Sequence, residues 1–118
     1  MSIEKHNPHY HPEKLGIKEM LTIDEEDTGY DFNTLCFFVH EDGRIFSASD
    51  SGCSCPTPFE DFMGATIDEC NLTLVTSYNQ ALRIYGEWLE EMNKYGAKSV
   101  TKSEAELRKF IESNLINV

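Results

Sequence analysis

Tyr30-Asp31-Phe32-Asn33-Thr34-Leu35-Cys36-Phe37-Phe38-Val39-His40, then Glu41-Asp42-Gly43, then Arg44-Ile45-Phe46-Ser47-Ala48-Ser49-Asp50, sets two apolar runs on either side of an Asp-Gly pair. That order marks an antiparallel hairpin, because Asp-Gly supplies the left-handed backbone of a type I′ turn. With Asp42 and Gly43 as the two turn residues, His40 faces Ile45, Phe38 faces Ser47 and Cys36 faces Ser49. Alternation then predicts a core-facing side of Leu35, Phe37, Val39, Phe46 and Ala48, closed at its far end by Asp50. The opposite side, with Cys36, Phe38, His40, Ile45, Ser47 and Ser49, is mixed enough to be partly exposed or covered by a third element. Gly16 to Ile23 is a candidate additional strand, with a helix as the alternative.

Downstream the period changes. Tyr78, Ala81, Leu82, Tyr85, Trp88, Leu89, Met92 and Tyr95 recur at three- and four-residue steps, which lines them along one side of a helix. Ser77 to Gln80 has the form of a capping box, and Gly96 is the expected stop. A second helix is predicted from Lys102 to about Leu115, with Thr101 as cap and Leu107, Phe110, Ile111 and Leu115 as its apolar side. Both stripes read as core. The predicted class is α+β: a small antiparallel sheet (hairpin 30–50 plus candidate strand 16–23) with C-terminal helices packed on one face. The 118 residues fit a single domain, 1–118, with residues 1–12 as a candidate mobile arm.

The net charge of -11 is unevenly placed. Residues 1–23 and 71–118 are each formally neutral, whereas Asp24 to Cys70 holds twelve carboxylates opposed only by Arg44. Direct binding to a nucleic-acid backbone is therefore disfavoured, and the surface suits solubility, a basic partner or imitation of the charge of a nucleic acid. No apolar run reaches the length of a membrane span, and the N-terminal residues lack the apolar stretch of a signal peptide. A cytoplasmic location with reduced thiols at Cys36, Cys53, Cys55 and Cys70 is the expectation, which makes Asn71-Leu72-Thr73 an accidental glycosylation motif. Oligomeric state is open.

The densest chemistry follows the hairpin. Asp50-Ser51-Gly52-Cys53-Ser54-Cys55-Pro56-Thr57-Pro58-Phe59-Glu60-Asp61 combines two thiols, two prolines and three carboxylates. Asp50 and Ser51 can fold onto the following backbone, the prolines stiffen what comes next, and Thr57, Pro58 and Glu60 match the cap, first position and capping-box partner of a short helix. Phe59 and Phe62 are its expected core anchors. One chemical alternative is zinc held by Cys53 and Cys55 with His9 and His11, although structural sites usually place two or more residues between paired cysteines. Another is dithiol–disulfide cycling of Cys53 and Cys55 through a tight ring. A cysteine nucleophile is disfavoured, since Asp50, Glu60 and Asp61 oppose a thiolate and His40 lies at the turn end of the hairpin, about five residue steps, ~17 Å, from the opposite end that Cys53 follows. No phosphate-binding loop or catalytic triad motif occurs, and no catalytic residue is assigned.

Tyr10-His11-Pro12-Glu13-Lys14-Leu15-Gly16, Phe38 to Phe46, and above all Ala48-Ser49-Asp50-Ser51-Gly52-Cys53-Ser54-Cys55-Pro56-Thr57-Pro58-Phe59-Glu60 resemble a family of small uncharacterised actinobacterial and actinobacteriophage proteins marked by this Cys loop. The resemblance covers the first half, with Val75-Thr76-Ser77 and Ala81-Leu82 in the helical half. It implies a phage or actinobacterial context and carries no activity or cofactor with it. Small acidic phage proteins commonly bind a host protein, so the expectation is a non-enzymatic binding module for a macromolecular partner, with Asp50, Ser51, Cys53, Ser54, Cys55, Glu60 and Asp61 as the contact residues. A zinc-binding or thiol-based enzyme or sensor built on Cys53 and Cys55 is the alternative.

Overall fold

The computed structural model describes residues 4–26, 28, 31–53 and 58–115, with the side chains of Cys53 and Tyr95 outside that description. Four strands, β1 (Ile17–Asp24), β2 (Asp31–His40), β3 (Ile45–Cys53) and β4 (Thr73–Val75), form one antiparallel sheet in the order β1-β2-β3-β4. Helices α1 (Tyr78–Met92) and α2 (Glu104–Asn114) follow. The α+β class, the hairpin and the added N-terminal strand are as the sequence predicts, and β4 is an element the sequence reading lacked.

The hairpin register differs from expectation by one residue. Val39 pairs with Ile45, Phe38 with Phe46 and Cys36 with Ala48, so Phe46 and Ala48 lie on the side opposite the one expected. The cause is the turn. Its loop is three residues long, Glu41-Asp42-Gly43, closed by hydrogen bonds from the Gly43 N–H to the His40 carbonyl and from the His40 N–H to the Arg44 carbonyl, each 2.9 Å. Gly43, at φ 96°, is the left-handed closing residue of that loop rather than the second residue of a tight pair. The Asp42 carboxylate accepts the Arg44 N–H at 3.0 Å and fixes this geometry. A one-residue slip moves a whole strand to the other face.

Both faces of the sheet are consequently buried. Ile23, Leu35, Phe37, Val39, Ile45 and Val75 meet α1 and α2 through Ala81, Tyr85, Trp88, Met92, Leu107 and Ile111. Trp88 donates its indole N–H to the Asn33 Oδ1 at 3.0 Å, and the Tyr85 hydroxyl reaches the Lys102 carbonyl at 3.0 Å, so neither aromatic polar group is stranded. On the opposite face Ile17, Cys36, Phe38, Phe46 and Ala48 are covered by Leu15, Phe59, Ile67 and Cys70, brought by residues before β1 and between β3 and β4. A bulge between Ile17 and Glu19 makes this assignment for Ile17, because the extra residue reverses the alternation that would send it toward the helices.

Helix ends need two corrections. Ser103, not Thr101, caps α2: its hydroxyl accepts the Glu106 N–H while the Glu106 side chain returns to the Ser103 N–H. Thr101 is occupied on β1, where its hydroxyl and N–H both bind Asp24. At α1 the Ser77 hydroxyl does accept the Gln80 N–H, but the Gln80 side chain turns to Thr76 and the Leu74 carbonyl. It ties the helix to β4 instead of closing a reciprocal box.

Candidate functional site

Two side chains hold the ends of the Cys loop. Asp50, half-buried on β3, accepts the Ser51 N–H at 3.0 Å through one carboxylate oxygen and the Phe59 N–H at 2.8 Å through the other. Phe59 takes a left-handed backbone, φ 64°, which is strained for a bulky residue. Its ring is fully buried against His9 (5.2 Å between centroids), Phe62 (5.6 Å) and Phe38 (6.4 Å). Burial of a phenyl ring, on the order of 2 kcal/mol, together with the charge-assisted bond from Asp50, offsets that strain. The segment after Phe59 is a single 3-10 turn, Glu60–Phe62, and with Phe59 left-handed no helix runs on from Pro58 through it; the expected cap, Thr57, lies outside the described residues.

The second clasp is Asn7, which sequence reasoning missed. It is only 5% exposed; its amide donates to the Pro58 carbonyl at 2.9 Å, and its oxygen accepts the N–H groups of His9 (2.8 Å) and Tyr10 (3.3 Å). An Asn followed by Pro at the start of a turn is the only local hint of this, and its long-range half spans 51 positions. His6 adds a two-way backbone bridge to Gly64, with N···O distances of 2.8 and 3.2 Å. Residues 6–11, expected as part of an arm, are thus bonded to residues 58–64.

This pairing builds a surface. Asn7, Tyr10, His11, Glu60 and Met63 line a groove of about 260 Å³. Tyr10 is 50% exposed and Met63 38%, and they are two of the three large apolar side chains left exposed among the described residues. Glu60 and Asp61 stand exposed beside them. Of the expected contact residues, Glu60 therefore lies at the groove with Asp61 as its neighbour, Ser51 is exposed at the far end of β3, and Asp50 is occupied as the clasp. The Cys53 side chain, Ser54 and Cys55 lie outside the described residues.

His9 and His11 meet different surroundings. The His9 Nδ1 lies 3.5 Å from the Cys36 sulfur, and burial lowers the pKa of this imidazole against the weaker opposing influence of Asp24. His11 is exposed beside Glu13. Among the described residues no three His, Cys, Asp or Glu side chains converge as a metal-binding group. Cys36 is fully buried, with Thr22 Oγ1 at 3.5 Å, and burial pushes its thiol up to about 12. A neutral thiol beside a neutral imidazole is a packed polar contact; the pairing lacks the thiolate that a nucleophile requires.

Across the hairpin turn, Arg44 bonds to Asp42 (2.8 Å) and to Asp68 (2.6 Å) and lies over the Phe46 ring. These exposed pairs join the turn to the 67–69 segment and leave Glu60 and Asp61 without this counter-charge.

The fold and groove define a small α+β domain: a four-stranded antiparallel meander with helices on one face and two cross-bonded irregular segments on the other. The chain belongs to the family described as a domain of unknown function, DUF7574, whose family model matches residues 6–114. No curated protein and no solved structure matches the chain. Among the described residues no helix is long and apolar enough to cross a membrane.

Proposed function

We propose that the protein is a non-enzymatic binding module, in which the face formed by Tyr10, His11, Glu60, Asp61 and Met63, beside the Cys loop, docks a protein partner bearing a basic residue next to an apolar one. In a phage context that partner is a host protein in the bacterial cytoplasm. The observation that carries this reading is the pair of exposed apolar side chains, Tyr10 and Met63, flanking a groove whose two walls are bonded together underneath. Tyrosine and methionine are enriched at interfaces, and a backbone fixed in advance lowers the ordering cost of association. Glu60 and Asp61 supply the attraction for a basic residue, in keeping with the overall charge of -11.

The test compares proteins retained from a lysate of the native host by the wild type and by a Tyr10→Ala, Met63→Ser double variant, using quantitative mass spectrometry. At least one protein is expected to fall by more than tenfold with the double variant while remaining bound to a Glu90→Lys control on α1. Identical retention by all three would remove the basis for the proposal.

A further inference from the structure

Among the described residues, the outer edge of β1 presents unpaired backbone beside a second groove. Asp24 donates its N–H to the Thr101 hydroxyl and accepts the Thr101 N–H at its carbonyl, both at 2.9 Å, so its peptide groups point away from β2. Glu25, by contrast, donates to the Asn33 carbonyl at 3.0 Å, on the β2 side. Strand residues two apart direct their peptide groups the same way, which places the N–H and C=O of Thr22 and Met20 on the outer edge. Residues 99–101 cover only its Asp24–Glu26 end, through the Thr101 bonds, the Glu25–Val100 bridge and the Glu26 N–H to the Ser99 carbonyl. Among the described residues no strand pairs with this edge from Lys18 to Ile23. Lys18 and the bulge blunt its beginning, leaving Met20 to Ile23 open.

Alongside that edge runs a groove of about 370 Å³, with Glu19 and Leu21 of β1 on one side and Glu106, Lys109, Phe110 and Ser113 of α2 on the other. An edge strand next to a helix is the arrangement by which folded domains capture extended peptides: backbone pairing supplies affinity and the groove selects alternate side chains. We infer that this edge binds an extended segment of another protein, which adds a fifth strand to the sheet and seats an apolar side chain against Leu21 and Phe110, with a lysine or arginine two residues away facing Glu19 and Glu106.

The charge argues for that occupant. Two carboxylates and one ammonium leave the groove with one excess negative charge, on a molecule of net -11. A second copy would bring the same net charge against itself. The edge does not involve Tyr10 or Met63, so this inference and the binding face proposed above stand or fall separately.

The probe is a pool of acetylated, amidated heptapeptides alternating Lys or Arg with Val, Ile or Phe, titrated into the isotope-labelled full chain and followed by amide NMR. Shifts are expected at Met20, Leu21, Thr22 and Phe110, with slowed hydrogen exchange at the Met20 and Thr22 N–H groups. Methylating alternate peptide amides should abolish binding, and a Glu19→Lys, Glu106→Gln double variant, which removes the groove's carboxylate charge but leaves Ser103 its capping-box acceptor, should weaken it by tenfold or more. The inference is overturned by an absence of shifts at millimolar pool concentration, or by binding indifferent to methylation or to the charge changes. A dimer with Met20 and Thr22 already protected in the absence of peptide also overturns it, since the edge then belongs to a second copy.

Discussion

Replacing Asn7 by alanine should loosen the whole Cys-loop face, and the size of the effect follows from the three bonds that the side chain makes. The Pro58 carbonyl loses its donor, while the His9 and Tyr10 N–H groups lose their acceptor. Tyr10 is half exposed and its bond is the longest, so its N–H can turn to water. The other two groups sit in a part-buried contact, where an abandoned partner costs about 1–1.5 kcal/mol each, or about 2–3 kcal/mol in sum. For a domain of this size each kcal/mol moves the melting temperature by roughly 4 °C, so a fall of about 8–12 °C is expected. Thermal unfolding followed by circular dichroism measures it, and hydrogen exchange should show the His9 and Tyr10 amides opening more readily than those of α1. A melting temperature within about 2 °C of wild type would mean that water replaces Asn7 at no cost, and the clasp would lose its role.

Three further outcomes follow from the same geometry. The folded-state pKa of Cys36 is raised from 9.0 to about 12 and that of Cys70 to about 11, both chiefly by burial. The stability these thiols contribute is full below the unfolded value near 9 and lost as pH rises toward the folded values, so urea midpoints should fall with increasing pH above about 9. His9 is shifted the other way: its pKa lies below 6.5, so its contribution is present above about 6.5 and declines as pH falls through the lowered value, a decline that His9→Phe should reduce. Gly64→Ala should cost about 1–3 kcal/mol, because the new Cβ would stand 2.8 Å from the Glu69 carbonyl carbon and 2.9 Å from the Cys70 nitrogen, backbone atoms that no rotamer change can move aside. Urea unfolding would register that cost, and unchanged stability would show that the segment gives way easily.

What could be read from the sequence tracks the range of the interactions. The stripe from Tyr78 to Met92 announced α1 because a helix repeats within a few residues, and Ala81, Tyr85, Trp88 and Met92 are buried as that period requires. The hairpin strands were equally visible. Their register was not, because Asp42-Gly43 suits both a two-residue turn and the end of a three-residue loop, and the choice inverts the whole of β3. β4 is three residues long, too short for alternation to register. Within the candidate site, Glu60 and Asp61 drew attention by their charge. Asn7, Tyr10 and Met63 did not, because their importance arises where residues 6–11 meet residues 58–64, a contact without local periodicity. Asp50 reads from the sequence as a contact residue, and the structure gives it the task of holding Phe59 in a left-handed backbone.

The proposed binding face is tested most directly by hydrogen–deuterium exchange on the complex with a partner recovered in the retention experiment. Protection concentrated at Tyr10 and His11 and across Phe59 to Gly64, with α1 unaffected, is the predicted result. Protection along α1 or the β1–α2 groove, with residues 6–11 and 58–64 exchanging as in the free protein, would contradict it.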